Sequence, residues 1–211
     1  QAASSHTGSL AQADDIVSAA LAQAGIIRAR TIDELFSLTR ALSLDARPIG
    51  QRLAIVSNAG GPAIVAADAL AQEKLLLPQF SDKLQKKLKS FLPPASNRHN
   101  PIDLLGDADL ERFIKAIRLV LKSSEIDALL LLVTPQTMTP IRKLAQWLSQ
   151  QSTKKPVAVS FLGGSMVEKA KREMLTNGLP VFDFPGNGGA LFAGSASEKL
   201  ASYSGRENLQ S

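Results

Sequence analysis

Six consecutive residues, Ser57-Asn58-Ala59-Gly60-Gly61-Pro62, follow directly on the apolar run Leu53–Val56. Two glycines let a backbone turn sharply and be approached closely, and proline suits the first turn of a helix. The order therefore reads as a strand turning into a helix. The first N–H groups of a helix have no partner one turn back, and together with the dipole they form a ready anion site. It is neither a G-x-G-x-x-G fingerprint nor a Walker A loop, because no Lys-Ser/Thr pair follows. On residue types alone, a phosphate-binding turn made by Ser57, Asn58, Ala59, Gly60 and Gly61 and a plain strand-to-helix connection are equally good readings.

Three further segments have comparable character. Thr134-Pro135-Gln136-Thr137 and Gly163-Gly164-Ser165 each separate an apolar run from a helical pattern. Turn chemistry explains either one about as well as ligand binding does. Asn100-Pro101-Ile102-Asp103-Leu104-Leu105-Gly106-Asp107 follows a Pro93-Pro94 break. Here Asn100-Pro101 starts a turn, and Asp103 either forms an Asx-turn, the simpler reading, or holds a ligand hydroxyl. Near the start, His6 stands among small residues in Ser4-Ser5-His6-Thr7-Gly8-Ser9-Leu10, and by itself it is a solvated histidine. No Ser/His/Asp or paired-carboxylate constellation assembles from the remainder.

Composition narrows the chemistry further. The 211 residues are 45% hydrophobic and 20% charged, which is globular. The net charge of +5 is mildly basic, but with aromatics at 5% the stacking platforms of single-strand binders are missing. The absence of cysteine removes disulfides, thiolate catalysis and cysteine-ligated metal sites. The two histidines, His6 and His99, are far apart, so no metal site is expected. The longest apolar run, Ala128–Val133, is too short to span a bilayer. With no signal peptide in view and no initiating Met, the expectation is a cytoplasmic piece of something longer.

The elements that must hold these segments follow from periodicity. A helix begins at Asp14 or Asp15, with Ile16, Val17, Ala20, Leu21 and Ala24 on one face and Gly25 at its end. A second opens with the capping box Thr31-Ile32-Asp33-Glu34 and stops near Pro48. Beyond it, apolar runs at 53–57, 128–134, 157–162 and 179–184 alternate with helical patterns at about 62–73, 81–91, 109–122, 140–151 and 166–177, and a last one after Asn187. Leu75–Pro78 is a weaker fifth strand candidate. Strands without polar alternation are buried on both faces, as in a parallel sheet between helices. The helix after Pro62 has almost no polar residues and is expected to be buried. The fold class is therefore α/β, a doubly wound parallel sheet of five strands, whose flavodoxin-like order is inferred by analogy. Residues 1–13 are read as a loop, 14–48 as a helical linker and 49–211 as the α/β domain.

Taken together, the segments resemble one family. Ser5-His6-Thr7-Gly8-Ser9-Leu10-Ala11, Gln23–Arg28, Ala54–Pro62, Asn100–Ala108 and Thr134–Thr139 match, in the same order, the NDP-forming acyl-CoA synthetases of the ADP-forming acetate–CoA ligase branch. These are relatives of succinyl-CoA synthetase, and the resemblance spans essentially the whole chain. It implies a succinyl-CoA-synthetase-like domain and the reversible conversion of acyl-CoA, phosphate and ADP into acid, CoA and ATP. It also implies an acyl phosphate, and phosphorylation of a histidine that matches His6 on the swinging loop 1–13. By the same resemblance, Ser57–Pro62 is the turn whose helix points at the phosphohistidine, and Gly163 and Gly164 lie at a glycine turn on the same edge. Gln12-Ala13-Asp14 departs from the commoner Gly-Ser-Asp.

The resemblance also sets expectations about partners. The CoA-binding and ATP-grasp domains are not matched here, so the fragment alone is expected to be inactive and to bind no cofactor. The full enzyme would use CoA, ATP/ADP and Mg, would act on phosphate, and would be an oligomer with no nucleic-acid or membrane partner. Two other readings compete. One is the regulatory synthetase-like region of a protein lysine acetyltransferase, which often lacks the histidine. The other is a flavodoxin-type binding module, although no Thr/Ser-rich FMN loop is present.

Overall fold

The computed structural model describes residues 14–24, 50–72 and 75–183, with scattered positions between 26 and 39. The loop 1–13 with His6, most of the second helix, and the helix expected after Asn187 lie outside the described residues. Helix α1 is Asp14–Gln23, and Arg28 donates to the Asp14 carboxylate at 2.5 Å.

The α/β domain runs β1 (Leu53–Ser57), α2 (Gly60–Gln72), α3 (Asp82–Lys89), β2 (Ile102–Asp103), α4 (Leu110–Lys122), β3 (Ala128–Val133), α5 (Ile141–Ser149), β4 (Val157–Phe161), α6 (Glu168–Thr176) and β5 (Val181–Phe182). A 3-10 turn, Gly164–Val167, leads into α6. The strands form one parallel sheet in the order β2-β1-β3-β4-β5. This is the flavodoxin-like order expected by analogy.

Every residue of β1, β3 and β4 is buried, and successive side chains go to opposite faces. Ala54, Val56, Leu129, Leu131 and Val159 join a core under α3, α4, α5 and α6. Leu53, Ile55, Leu130, Leu132 and Phe182 face the other way, toward Ala63, Ala66 and Leu70 of α2. Caps fix the helix starts: Ser81 Oγ accepts from Leu84 N–H, and Asp109 accepts from Arg112 N–H at 2.8 Å.

Three details differ from the sequence expectation. The fifth strand is Ile102–Asp103, whereas Leu75–Pro78 contributes only a bridge from Leu76 to Arg52. The open edge of β1 explains this. Its first part is bonded to Leu76, and its middle is occupied by a side chain: Asn100 Nδ2 donates to Leu53 O at 2.8 Å, and Ile55 N–H donates to Asn100 Oδ1 at 3.0 Å. Only the last two residues of β1 remain for β2. Second, α2 is not enclosed, because Ile64 and Val65 are each 62% exposed. Third, α2 begins at Gly60, so Pro62 stands third in it.

Candidate functional site

The carboxyl ends of the strands bring four of the singled-out segments together. Asn58 is the hub, and it is 1% exposed. Its Nδ2 donates to Thr134 O at 2.9 Å and to Thr139 Oγ1 at 3.0 Å. Its Oδ1 accepts from Thr134 N–H at 2.9 Å and from Thr134 Oγ1 at 3.2 Å. An amide has two donors and two acceptor lone pairs, so this side chain is fully committed. Asn58 clamps the β1–α2 turn to the β3–α5 loop, and its amide has no spare N–H for a ligand.

Ser57 works inside the turn. Its Oγ accepts from Ala59 N–H at 3.0 Å and donates to Ala59 O at 2.9 Å. That ST-turn sets the entry to α2. The first intrahelical donor is Ala63, bonded to Ala59 O. Pro62 has no N–H, and Ala59 before the helix has no side-chain acceptor. The Gly60 and Gly61 N–H groups thus have no helical partner, and they sit at the positive end of the α2 dipole.

The two glycines are required for different reasons. Neither has positive φ. A Cβ on Gly60 would lie 3.2 Å from Asp103 Oδ2, whereas nothing lies within 4 Å of a Cβ on Gly61. Gly60 therefore lets the β2 carboxylate come close, and Gly61 keeps a clear approach from outside.

The Asp103–Asp107 loop is fixed by its own bonds. Asp103 Oδ1 accepts from Leu105 N–H at 2.9 Å, the expected Asx-turn, and Leu105 has φ 69°. Arg112 donates to Leu104 O at 2.9 Å and to the Asp107 carboxylate at 2.5 Å. The hydrogen bond from Arg112 holds the Asp107 carboxyl below the usual carboxylate range, against a smaller opposing effect of desolvation. Gly106 faces Gln136, completing contact with the β3–α5 loop.

Gly163 and Gly164 occupy the neighbouring corner. A Cβ on Gly163 would fall 2.4 Å from Pro135 Cγ, so this glycine is needed for packing. Gly164 has φ 55° and supplies the left-handed turn into the 3-10 segment. One group escapes the sequence reading. Ser160 Oγ is buried without a hydrogen-bond partner, in the same row of the sheet as Ser57 and Leu132. A serine within Val157–Phe161 gives no signal in the pattern, because the strand is apolar on both sides of it.

Among the described residues, no group of three or more His, Asp or Glu could hold a metal ion. No helix of the described residues is long and apolar enough to cross a membrane.

A parallel sheet in flavodoxin-like order, with the glycine-opened start of α2 at its carboxyl edge, defines a doubly wound α/β domain. The chain belongs to the Ligase-CoA domain family, whose model matches residues 53–197, and residues 1–42 match the succinyl-CoA ligase like flavodoxin domain. It is 38% identical to Acetate--CoA ligase [ADP-forming] I of Archaeoglobus fulgidus, over 88% of this chain and 26% of that protein. To Acetate--CoA ligase [ADP-forming] II subunit alpha of Pyrococcus furiosus it is 36% identical, over 88% of this chain and 42% of the relative. Among solved structures, a dinucleotide forming Acetyl-coenzyme A synthetase 1 from Ca. Korarchaeum cryptofilum, in complex with phosphate and ADP, superposes with a TM-score of 0.82. That match has 27% identity and covers 100% of this chain and 46% of that one. The chain thus spans less than half the length of each of these relatives.

Proposed function

We propose that this chain is the phosphohistidine-bearing part of an ADP-forming acid–CoA ligase, with His6 as the phosphoryl carrier. In the full reaction, phosphate attacks the acyl carbon of acyl-CoA and CoA leaves as its thiol, giving an acyl phosphate. An imidazole nitrogen of His6 then takes the phosphoryl group and the free acid leaves. ADP accepts that group in turn, forming ATP and restoring the imidazole. CoA-binding and ATP-grasp domains, on this or another chain, would supply the other sites of a cytoplasmic, oligomeric enzyme. Mg would accompany the nucleotide there.

The observation that carries this reading is the start of α2. Two helix N–H groups lacking helical partners, on Gly60 beside the Asp103 carboxylate and on Gly61 with a clear approach, suit the equatorial oxygens of a phosphoryl group. The turn is held by Asn58 and Ser57, so its donors are aligned before the anion arrives. Gly163 and Gly164 shape the neighbouring wall. Ser57, Asn58 and Ala59 contribute the turn's geometry, and Gly60 and Gly61 contribute the donors.

The test is phosphorylation of the intact enzyme. Incubation with acyl-CoA and labelled phosphate, without ADP, should give acid-labile, base-stable label that disappears in His6→Ala. Undiminished label in that variant would remove His6 from the mechanism.

A further inference from the structure

At the opposite edge of the sheet from the β1–α2 turn, α4 and α5 end side by side over a groove of about 660 Å³. Its lining includes Arg118, Lys122, Lys154 and Lys155, four hydroxyl side chains and no carboxylate. Lys155 donates to Ser123 O and is thereby engaged. Arg118, Lys122 and Lys154 have no ion-pair partner among the described residues. Trp147 provides the apolar wall, with Arg118 5.4 Å from its ring centroid.

We propose that this groove binds an acidic peptide segment carrying an apolar side chain, supplied by a partner domain or chain. Charge complementarity calls for an anion: the unpaired Lys122 and Lys154, with Arg118 over the Trp147 ring, face a wall without carboxylates. The helix ends decide between anions. The carboxyl termini of α4 and α5 carry carbonyl groups and the negative end of each dipole. A phosphate-only ligand would offer these groups nothing but like charge. A peptide meets both demands, because its backbone N–H groups bond to carbonyls while its carboxylates bond to the cations. An apolar side chain would lie on Trp147 and Leu121. The groove is remote from the β1–α2 turn, so this inference and the assignment of His6 fail independently.

Trp147 is the single tryptophan of the chain, which makes its fluorescence a direct reporter. The 211-residue chain is titrated with a short peptide of alternating Glu and Ser around a central Leu, with its Gln counterpart, and with inorganic tripolyphosphate. The Glu peptide should give a saturable change that weakens about tenfold in K122E/K154E and at raised salt. Lys83→Glu, on α3, should leave it unchanged, and melting curves confirm that each variant is folded. No saturable change, or equal binding of the Gln peptide, would overturn the proposal. Tighter binding of tripolyphosphate would also overturn it, by assigning the groove to a phosphate ligand.

Discussion

At the carboxyl edge of the sheet, the ends of β1 and β3 are joined by the neutral amide of Asn58. At the amino edge, the same two strands are joined by a charged pair: Arg52 Nη2 and Nε reach the Asp127 carboxylate at 2.7 and 3.0 Å, and Arg52 N–H adds a third bond at 2.9 Å. The amide is buried, whereas the Arg52 side chain is 45% exposed. A neutral clamp adds no charge of its own at the α2 N-terminus, where the Asp103 carboxylate already lies close to Gly60. A charged clasp serves where solvent screens it and where no phosphoryl group is expected.

The contrast predicts unequal costs. Asn58→Leu should lose about 3 kcal/mol in urea unfolding, because it strands the buried Thr139 hydroxyl and three part-buried groups of Thr134. Asp127→Asn should lose under about 1 kcal/mol at neutral pH, as exposed pairs do. Equal losses would remove the distinction between the two edges.

Glycine substitutions sharpen it next. Gly163→Ala would force Pro135 to shift and should cost about 1–3 kcal/mol. Gly106→Ala meets Gln136 only at ordinary contact distance, 3.6 Å, and should change the melting temperature little.

The pH dependence should divide in the same way. The side-chain hydrogen bond from Arg52, ahead of opposing desolvation, lowers the Asp127 pKa from its usual value. A depressed folded pKa contributes stability above the unfolded value, and that stability is lost as pH falls through the folded one. Melting curves of wild type and Asp127→Asn should therefore converge below about pH 4. The Asn58→Leu deficit should persist throughout, since no ionisation is involved. The smallest effect belongs to Ser160→Ala. Removing an unpaired buried hydroxyl should leave stability unchanged or slightly raised, and a loss of more than about 1 kcal/mol would show that the hydroxyl has a partner.

Much of this was legible in the sequence, where burial on both sheet faces leaves continuous apolar runs. The runs at β1, β3 and β4 specify themselves, and the turns after them mark the carboxyl edge. β2 was hidden because two residues carry no periodicity, and because Asn100 occupies with its side chain the ladder positions a longer strand would use. The Asx-turn at Asp103 was readable from type and spacing. The commitment of Asn58 to Thr134 and Thr139 was not, since those partners lie far along the chain and a polar pair before glycine looks the same either way. The exposed face of α2 was misjudged for a related reason. Ile64 and Val65 are apolar like Ala63 and Ala66, and composition alone cannot separate the two sides of such a helix.

The central claim is that the α2 N-terminus receives the phosphoryl group. It is tested most directly by the single-turnover rate of His6 phosphorylation in intact enzyme carrying Gly61→Val, compared with wild type. Nothing lies within 4 Å of a Cβ at this position, so the melting temperature should change little. By obstructing the approach to the N–H groups, which the variant retains, it should slow phosphorylation per folded molecule by roughly two orders of magnitude, the scale of one lost hydrogen bond to developing charge. A wild-type rate in a normally folded Gly61→Val enzyme would contradict the account.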